Sequence, residues 1–119
     1  MKIEIARCYE IVNETKNTPR FLVDRLWPRG LKKEALQLDM WVRDLSPSDA
    51  LRKWYGHEPA KWEAFTGRYF GELDEHPEAV SKFLAAIKDY SVITLLYSST
   101  EKEINNAVAL KKYLLQHLK

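Results

Sequence analysis

Two short stretches of the sequence combine residue types that bind anions. In the first, Arg25 and Arg29 flank a Leu-Trp-Pro segment. In the second, Ser98 and Ser99 follow a strongly apolar run. Guanidinium groups and hydroxyls hold phosphate, sulfate or carboxylate oxygens through charge-assisted hydrogen bonds, so we expect a site for a small anionic ligand. The expected ligand-binding residues are Arg25, Trp27, Arg29, Gly30, Arg52, Tyr97, Ser98, Ser99 and Asn106.

Two further residues could move protons at such a site. His57 follows the basic pair Arg52-Lys53, and an imidazole titrates near neutral pH. Lys53 and His57 are four positions apart, which would place them on one helix face. The ordinary alternative is that His57 caps the C-terminus of that helix. The second candidate catalytic residue is Asp24. For Arg25 the ordinary alternative to ligand binding is an ion pair with a local acid such as Asp24 or Asp39, which would fix the loop.

The elements that must position these residues are two predicted strands. Phe21–Val23 is a short apolar run, and Ser91–Ser98 contains the strongest strand pattern of the chain, covered on both faces. If these strands are parallel neighbours, the helices between them form the crossover and both strands end at the same edge. Ligands bind at that edge in open α/β sheets. A third strand is predicted at Lys2–Cys8, and 38–42 is either a short extended piece or irregular.

Helices occupy most of the remaining chain. Ser46 offers an N-cap with Pro47 at the first helical position, and that helix ends at Gly56. A second helix starts at Pro59, and a third follows the break at residues 76–77. Thr100 to Glu103 matches a capping box. This pattern predicts a last helix from Thr100, with Asn105 and Asn106 in its first two turns and acidic side chains that would repel an anion.

These elements predict a single three-layer α/β domain over residues 1–119, with a small, largely parallel sheet of three or four strands flanked by four helices. Hydrophobic residues make up 45% and charged residues 30%, which excludes a disordered chain. The net charge of +2 gives no strong field toward nucleic acid or membranes. The longest apolar run, 92–97, is far shorter than the roughly 20 residues that span a bilayer, and the alternating first residues do not resemble a signal peptide.

Other chemistries lack a signature. The three histidines are isolated, so no metal site is expected, and no glycine-rich phosphate loop or dinucleotide motif implies a cofactor. The single cysteine, Cys8, has no partner and fits a buried, inert thiol. One cysteine is also consistent with a reducing cytoplasm, the location that we expect.

The segment Leu22–Gly30, which is L-V-D-R-L-W-P-R-G, resembles the signature of the domain of unknown function 488 family, in its small YeaO-like branch. The resemblance continues through 38–41, 45–62 and 94–108, and so covers nearly the whole chain. It implies a three-layer α/β fold and no agreed biochemical activity. In the wider family the loop after the last strand often contains cysteine, where this chain has Tyr97-Ser98-Ser99. The resemblance therefore does not imply thiol chemistry here.

Two other classes of function remain open from the residues alone. A nucleic-acid-binding module would use Trp27 as a stacking platform beside a basic surface. A protein-interaction module would instead use exposed tryptophans as interface anchors. The residues expected to form the basic surface are Arg25, Arg29, Lys32, Lys33, Arg43 and Arg52.

Overall fold

The computed structural model describes residues 1–118, and its centre is a parallel sheet of four strands in the order β1-β4-β2-β3. The predicted parallel pairing is present, because Phe21 of β2 lies opposite Leu95 of β4. On its other side Leu95 pairs with Ile5, so β4 separates β1 from β2. All four strands therefore end at one edge of the sheet. The strands are β1 Lys2–Arg7, β2 Arg20–Leu22, β3 Met40–Trp41 and β4 Val92–Tyr97.

Within residues 1–118, four α-helices and three short 3₁₀ turns lie between the strands, and a fifth α-helix follows β4. The last helix and the last strand are adjacent in the chain, whereas three helices lie between β3 and β4 and form the crossover. No helix in this described part is long and apolar enough to cross a bilayer. The helices are α1 Lys33–Leu36, α2 Asp49–Tyr55, α3 Trp62–Asp74, α4 Pro77–Ile87 and α5 Asn106–His117, and the 3₁₀ turns are Cys8–Glu10, Arg43–Leu45 and Pro59–Lys61.

Both faces of the sheet are covered, as the apolar character of β4 predicts. Leu95 is fully buried in a cluster that contains residues from α2 to α5, including Phe83 and Leu110. Leu96 points to the opposite face, where it packs with Cys8 and with Leu36 of α1. Successive side chains of a strand alternate between faces, so neighbouring residues of β4 contribute to two separate cores. The result is a three-layer α/β fold.

The N-terminus of α2 differs from the expectation. Ser48, not Ser46, is the N-cap: its hydroxyl accepts a hydrogen bond from the Leu51 amide at 3.1 Å. The Ser46 hydroxyl instead donates to the Arg43 carbonyl at 2.6 Å and closes the preceding 3₁₀ turn. The predicted end of this helix is confirmed, because Gly56 adopts the left-handed conformation with φ of 54°.

The capping box at the start of α5 does not form, and that prediction was wrong. The helix begins at Asn106, and the buried Asn105 is its N-cap. The Asn105 side chain accepts a hydrogen bond from the Val108 amide at 3.0 Å and donates one to the Glu101 carbonyl at 2.8 Å. One asparagine thus satisfies the helix start and fixes the preceding segment, for which asparagine is well suited. Glu101 and Glu103 consequently lie outside the helix, not in its first turn.

Candidate functional site

A cleft of about 580 Å³ lies at the carboxyl edge of the sheet, beside the residues that follow β1, β2 and β4. It contains residues from both predicted stretches, together with the C-terminal end of α2 and the first residue of α5. The lining residues are Arg7, Tyr9, Asp24, Arg25, Leu26, Trp27, Pro28, Arg29, Pro47, Arg52, Lys53, Tyr55, Gly56, His57, Phe65, Ser98, Ser99 and Asn106.

Asp24 joins the elements that meet at this cleft. One of its carboxylate oxygens accepts hydrogen bonds from the Ser98 amide at 3.0 Å and the Ser98 hydroxyl at 2.7 Å. The other oxygen accepts the side-chain amide of Asn106 at 3.0 Å, and that amide also donates to the Val23 carbonyl at 2.9 Å. The alternative ion pair of Arg25 with Asp24 or Asp39 is not among the contacts of residues 1–118. Asp24 therefore ties the loop after β2 to the end of β4 and the start of α5.

Arg7 is held at the cleft by the serine loop. Its Nε–H is shared between the carbonyls of Ser98 and Ser99, at 3.1 and 3.0 Å. The guanidinium carbon lies 4.7 Å from the centre of the Tyr9 ring, a cation–π distance. These contacts fix the plane of the guanidinium through its inner nitrogen, so that its two terminal nitrogens remain available to a ligand.

Arg25 is anchored in the same way from the opposite wall. Its Nε–H donates to the carbonyl of Pro47 at 3.0 Å. Neither Arg7 nor Arg25 has a carboxylate oxygen within 4 Å in the described part of the chain. Arg25 is half-buried, and the terminal nitrogens of a guanidinium anchored in this way are well suited to bidentate binding of an oxyanion.

Arg29 is an exposed residue whose backbone is fixed. The Tyr9 hydroxyl donates a hydrogen bond to the Arg29 carbonyl at 2.8 Å. Like the other two arginines, Arg29 forms no ion pair within residues 1–118. Tyr9 thus contacts Arg7 through its ring and Arg29 through its hydroxyl, and links two cationic residues of the cleft.

The basic residues at the end of α2 are partly neutralised. Arg52 and Lys53 both pair with Asp49, at 2.6 and 3.0 Å. Hydrogen bonds from these two side chains lower the pKa of the Asp49 carboxyl. Arg52 and Lys53 line the cleft, but their charge is shared with a carboxylate on their own helix.

His57 lines the cleft as an exposed residue, although not on a helix. The helix ends at Tyr55, and Gly56 supplies the C-cap by donating its amide hydrogen to the Arg52 carbonyl at 3.1 Å. His57 itself has a positive φ of 58°. Both expectations for this residue, a helix face shared with Lys53 and a helix cap, are therefore wrong. The reason is that the left-handed pair at 56–57 turns the chain away from the helix axis.

The remaining predicted residues contribute unequally. The indole N–H of Trp27 donates to the Leu31 carbonyl at 2.7 Å, and its ring packs edge-on against Trp41 at 5.5 Å. Trp27 is thus a half-buried wall of the cleft. Tyr97 and Gly30 are not among the lining residues. Tyr97 is only 3% exposed because strand alternation directs it into the helical core, and Gly30 serves the turn with its φ of 83°.

Arg7 and Tyr9 are the two polar lining residues that the sequence analysis missed, beside the unpredicted wall residues Leu26, Pro28, Pro47, Tyr55, Gly56 and Phe65. The signal was present, since Arg7 follows Ile3 and Ile5 in the alternating pattern of β1. Its importance depends on β1 lying beside β4, which the local pattern does not specify. Once β1 and β4 are parallel neighbours, Arg7 and Tyr97 are partners in the register and both strands deliver residues to one edge.

A second cavity of about 710 Å³ lies nearby and shares Arg25 with the cleft. Its charges are mixed, with two arginines against three carboxylates, so it has no excess of positive charge. It therefore does not favour an anion. Its lining residues are Arg25, Arg43, Asp44, Glu75, His76, Pro77, Glu78 and Ala79. Within residues 1–118, no group of three histidine, cysteine, aspartate or glutamate residues could hold a metal ion.

The fold and the site define a small parallel α/β protein with a cationic cleft at the carboxyl edge of its sheet. Residues 2–119 match the family model DUF488-N3i, described as the inactive DUF488-N3 subclade. The chain belongs to this family, as the resemblance of its 22–30 segment indicated.

Similar proteins extend over the same length. The uncharacterized protein YeaO of Escherichia coli K12 is 40% identical over 114 residues, which are 96% of this chain and 97% of YeaO. The uncharacterized proteins Mb3100c of Mycobacterium bovis and Rv3073c of Mycobacterium tuberculosis are each 33% identical over 113 residues, 95% of this chain and 93% of each relative. No solved structure gives a significant match.

Proposed function

We propose that the cleft binds a small anionic ligand of the phosphate or nucleotide type. The observation that carries this proposal is that Arg7, Arg25 and Arg29 line one cleft without a carboxylate partner in the described chain. Three unpaired guanidinium groups on one surface repel one another, and a bound oxyanion relieves that repulsion. The one acidic lining residue, Asp24, already accepts three hydrogen bonds from Ser98 and Asn106.

Anchoring makes these arginines suitable for binding. Ordering a free arginine side chain costs up to about 2 kcal/mol of rotamer entropy. Backbone carbonyls hold Arg7 and Arg25 through Nε before any ligand arrives. Less entropy is then lost on binding, which favours affinity through preorganisation.

The cleft also offers an apolar wall for the rest of such a ligand. Leu26 is 55% exposed, and Trp27 and Pro28 follow it along the same loop. The volume of about 580 Å³ lies within the range of small-molecule sites. An anion that carries a planar or apolar group, as a nucleotide does, would use both parts of the cleft.

In this proposal the protein binds its ligand without converting it. The description of the matching family as an inactive subclade supports binding over turnover. Asp24 then has a structural role, since its hydrogen bonds to Ser98 and Asn106 hold the loops of the cleft together. His57 contributes at the rim as a further contact for the anion. A cytoplasmic location is compatible with the proposal, because Cys8 is a free, buried cysteine.

The test is a calorimetric and thermal-shift titration with inorganic phosphate, adenosine monophosphate, adenosine and acetate. Phosphate and adenosine monophosphate should raise the midpoint of thermal unfolding, whereas adenosine should not. Arg25→Ala and Arg29→Ala should each weaken phosphate binding by about tenfold or more, the value of one charge-assisted hydrogen bond.

A matched control is Arg68→Ala on α3. The Arg68 guanidinium lies 4.0 Å from the centre of the Trp54 ring and does not line the cleft. Arg68→Ala lowers the net charge by one, as Arg25→Ala does, but away from the cleft. It should therefore leave phosphate affinity within about twofold. If no anion binds the wild-type protein, or if Arg68→Ala weakens binding as much as Arg25→Ala does, the proposal fails. Tight, length-dependent binding of oligonucleotides would support the nucleic-acid alternative instead.

A further inference from the structure

Glu72 of α3 lines neither cavity, yet it is bonded to a turn that forms one wall of the cleft. One carboxylate oxygen of Glu72 accepts the Ser48 amide hydrogen at 2.8 Å. The other accepts the Ser48 hydroxyl hydrogen at 2.6 Å. Both oxygens of one half-buried carboxylate are thus used on a single serine, which also caps α2.

The contact continues from Glu72 to Arg25 through one peptide unit. The Ser48 amide and the Pro47 carbonyl belong to the same peptide bond, and the Pro47 carbonyl accepts the Nε–H of Arg25 at 3.0 Å. A trans peptide is planar, with its N–H and C=O directed oppositely. The Pro47–Ser48 peptide is therefore clamped between a carboxylate on one side and a guanidinium on the other. A charged acceptor on the N–H also polarises the carbonyl and strengthens its bond to Arg25.

A related but not identical arrangement holds Arg7. Asp24 accepts both the amide and the hydroxyl hydrogen of Ser98, and the Ser98 carbonyl accepts the Nε–H of Arg7. In both cases a carboxylate accepts two hydrogen bonds from one serine and a nearby backbone carbonyl orients an arginine. The amide and the carbonyl of Ser98 belong to different peptide units, however, so coupling through one peptide is specific to Glu72 and Arg25. The two carboxylates belong to different elements, one in the loop after β2 and the other in α3.

We propose that Glu72 is a positioning residue of the anion cleft, and that it acts through the Pro47–Ser48 peptide to orient Arg25. This inference rests on the proposed anion-binding function. Glu72 does not touch the ligand. It holds the peptide whose carbonyl fixes the Arg25 guanidinium in the binding orientation.

A double-mutant cycle with inorganic phosphate as the probe tests this role. Glu72→Gln should weaken phosphate binding by about three- to tenfold, because a neutral amide offers one acceptor oxygen in place of two and loses the charge-assisted bonds to Ser48. In an Arg25→Ala background the same substitution should have no further effect, since the residue it positions is absent. Independent, multiplying effects of the two substitutions would overturn the proposal.

The matched control is Asp74→Asn on the same helix. The Asp74 carboxylate accepts the Tyr113 hydroxyl hydrogen at 2.7 Å and so ties α3 to α5 away from the cleft. Its loss should lower stability without changing phosphate affinity. If Asp74→Asn weakens binding as much as Glu72→Gln does, Glu72 has only a structural role. Ser48→Ala keeps the backbone bond to Glu72 but removes the hydroxyl bond and the N-cap of α2. It should weaken phosphate binding less than Glu72→Gln does, and a larger loss than that of Glu72→Gln would count against the role of the Ser48 amide.

A ligand-free measurement separates this inference from the proposed function. The Nε–H proton of Arg25 should exchange slowly with solvent in wild-type protein and severalfold faster in Glu72→Gln, as followed by ¹⁵N NMR. If phosphate, sulfate and adenosine monophosphate all fail to bind, the proposed function falls while the exchange rates still decide whether Glu72 orients Arg25. Equal exchange rates in the two proteins would overturn the positioning role.

Discussion

The carboxylate of Asp24 and the hydroxyl of Ser98 lie 2.7 Å apart, although 74 positions separate them in the chain. The other carboxylate oxygen holds Asn106, the first residue of α5. Both oxygens act only as acceptors here, and every partner is a donor. This set of hydrogen bonds is what brings the loop after β2 and the loop after β4 to one cleft.

Asp24→Asn should therefore be costly despite its near-identical shape. Whichever way the new amide is flipped, its NH₂ group faces a donor, either at Ser98 or at Asn106. We expect a loss of about 1–3 kcal/mol in the free energy of unfolding, measured by urea denaturation. Asp89→Asn at an exposed position is the control and should change stability by less than about 0.5 kcal/mol. Equal stability of Asp24→Asn and wild type would contradict this structural role of Asp24.

The parallel pairing of β2 with β4 could be predicted because each strand has a clear local signal. Asp24 follows one apolar run and Ser98 follows the other. If the two strands are parallel neighbours, both residues lie at one edge of the sheet. The position of β1 could not be predicted in this way. Its pairing with β4 joins residues about ninety positions apart, and the alternation of β1 does not specify a neighbour. Arg7 was missed for that reason.

At the start of α5, tertiary packing overrides a local capping motif. Thr100 and Glu103 have the spacing of a capping box, but Asn105 caps the helix from a fully buried position. Asn105→Ala should lower the free energy of unfolding by about 1–3 kcal/mol, since it removes an N-cap and leaves buried groups unpaired. Thr100→Ala and Glu103→Ala should each cost less than about 0.5 kcal/mol. Chemical denaturation of the three variants checks this order. A larger loss of unfolding free energy for Thr100→Ala than for Asn105→Ala would favour the capping box as the cap of α5.

Cys8 predicts a dependence of stability on alkaline pH. Burial, with a smaller effect from the charge of Asp24, raises the pKa of the Cys8 thiol from 9.0 to about 12. The unfolded chain therefore ionises first as the pH rises. The stabilising contribution is complete below about pH 9 and is lost as the pH rises toward 12, at up to about 1.4 kcal/mol per pH unit. Cys8→Ala should make the fall in unfolding free energy between pH 9 and 11 shallower.

The same Cys8 pKa bears on reactivity. At neutral pH the native thiol should not react with a thiol reagent such as iodoacetamide, because the thiolate is the reactive form and the side chain is fully buried. Labelling should begin only at urea concentrations that unfold the protein. Rapid labelling of native protein would contradict the buried position of Cys8. Tyr113 also contributes at alkaline pH, because burial and the hydrogen bond to Asp74 raise its pKa to about 12. It should account for part of the loss of unfolding free energy that remains in Cys8→Ala.

The charge of the cleft predicts a preference for dianions. A phosphate monoester gains its second negative charge near pH 6, whereas inorganic sulfate is a dianion throughout this range. The ratio of phosphate-monoester affinity to sulfate affinity should therefore rise severalfold between about pH 5 and about pH 7. Taking the ratio cancels any pH-dependent change in the protein that affects both anions equally. A ratio that does not change with pH would show that the arginines recognise a single negative charge.

Leu26 is an apolar residue that lines the cleft. It is 55% exposed and follows Arg25, so its side chain contributes little to the core. Leu26→Ser should leave the thermal midpoint of the free protein nearly unchanged and the affinity for inorganic phosphate within about twofold. The affinity for adenosine monophosphate should fall by about five- to thirtyfold, because burial of one leucine side chain against a ligand is worth about 1–2 kcal/mol. An equal loss for both ligands would mean that Leu26 supports the arginines and does not contact the ligand.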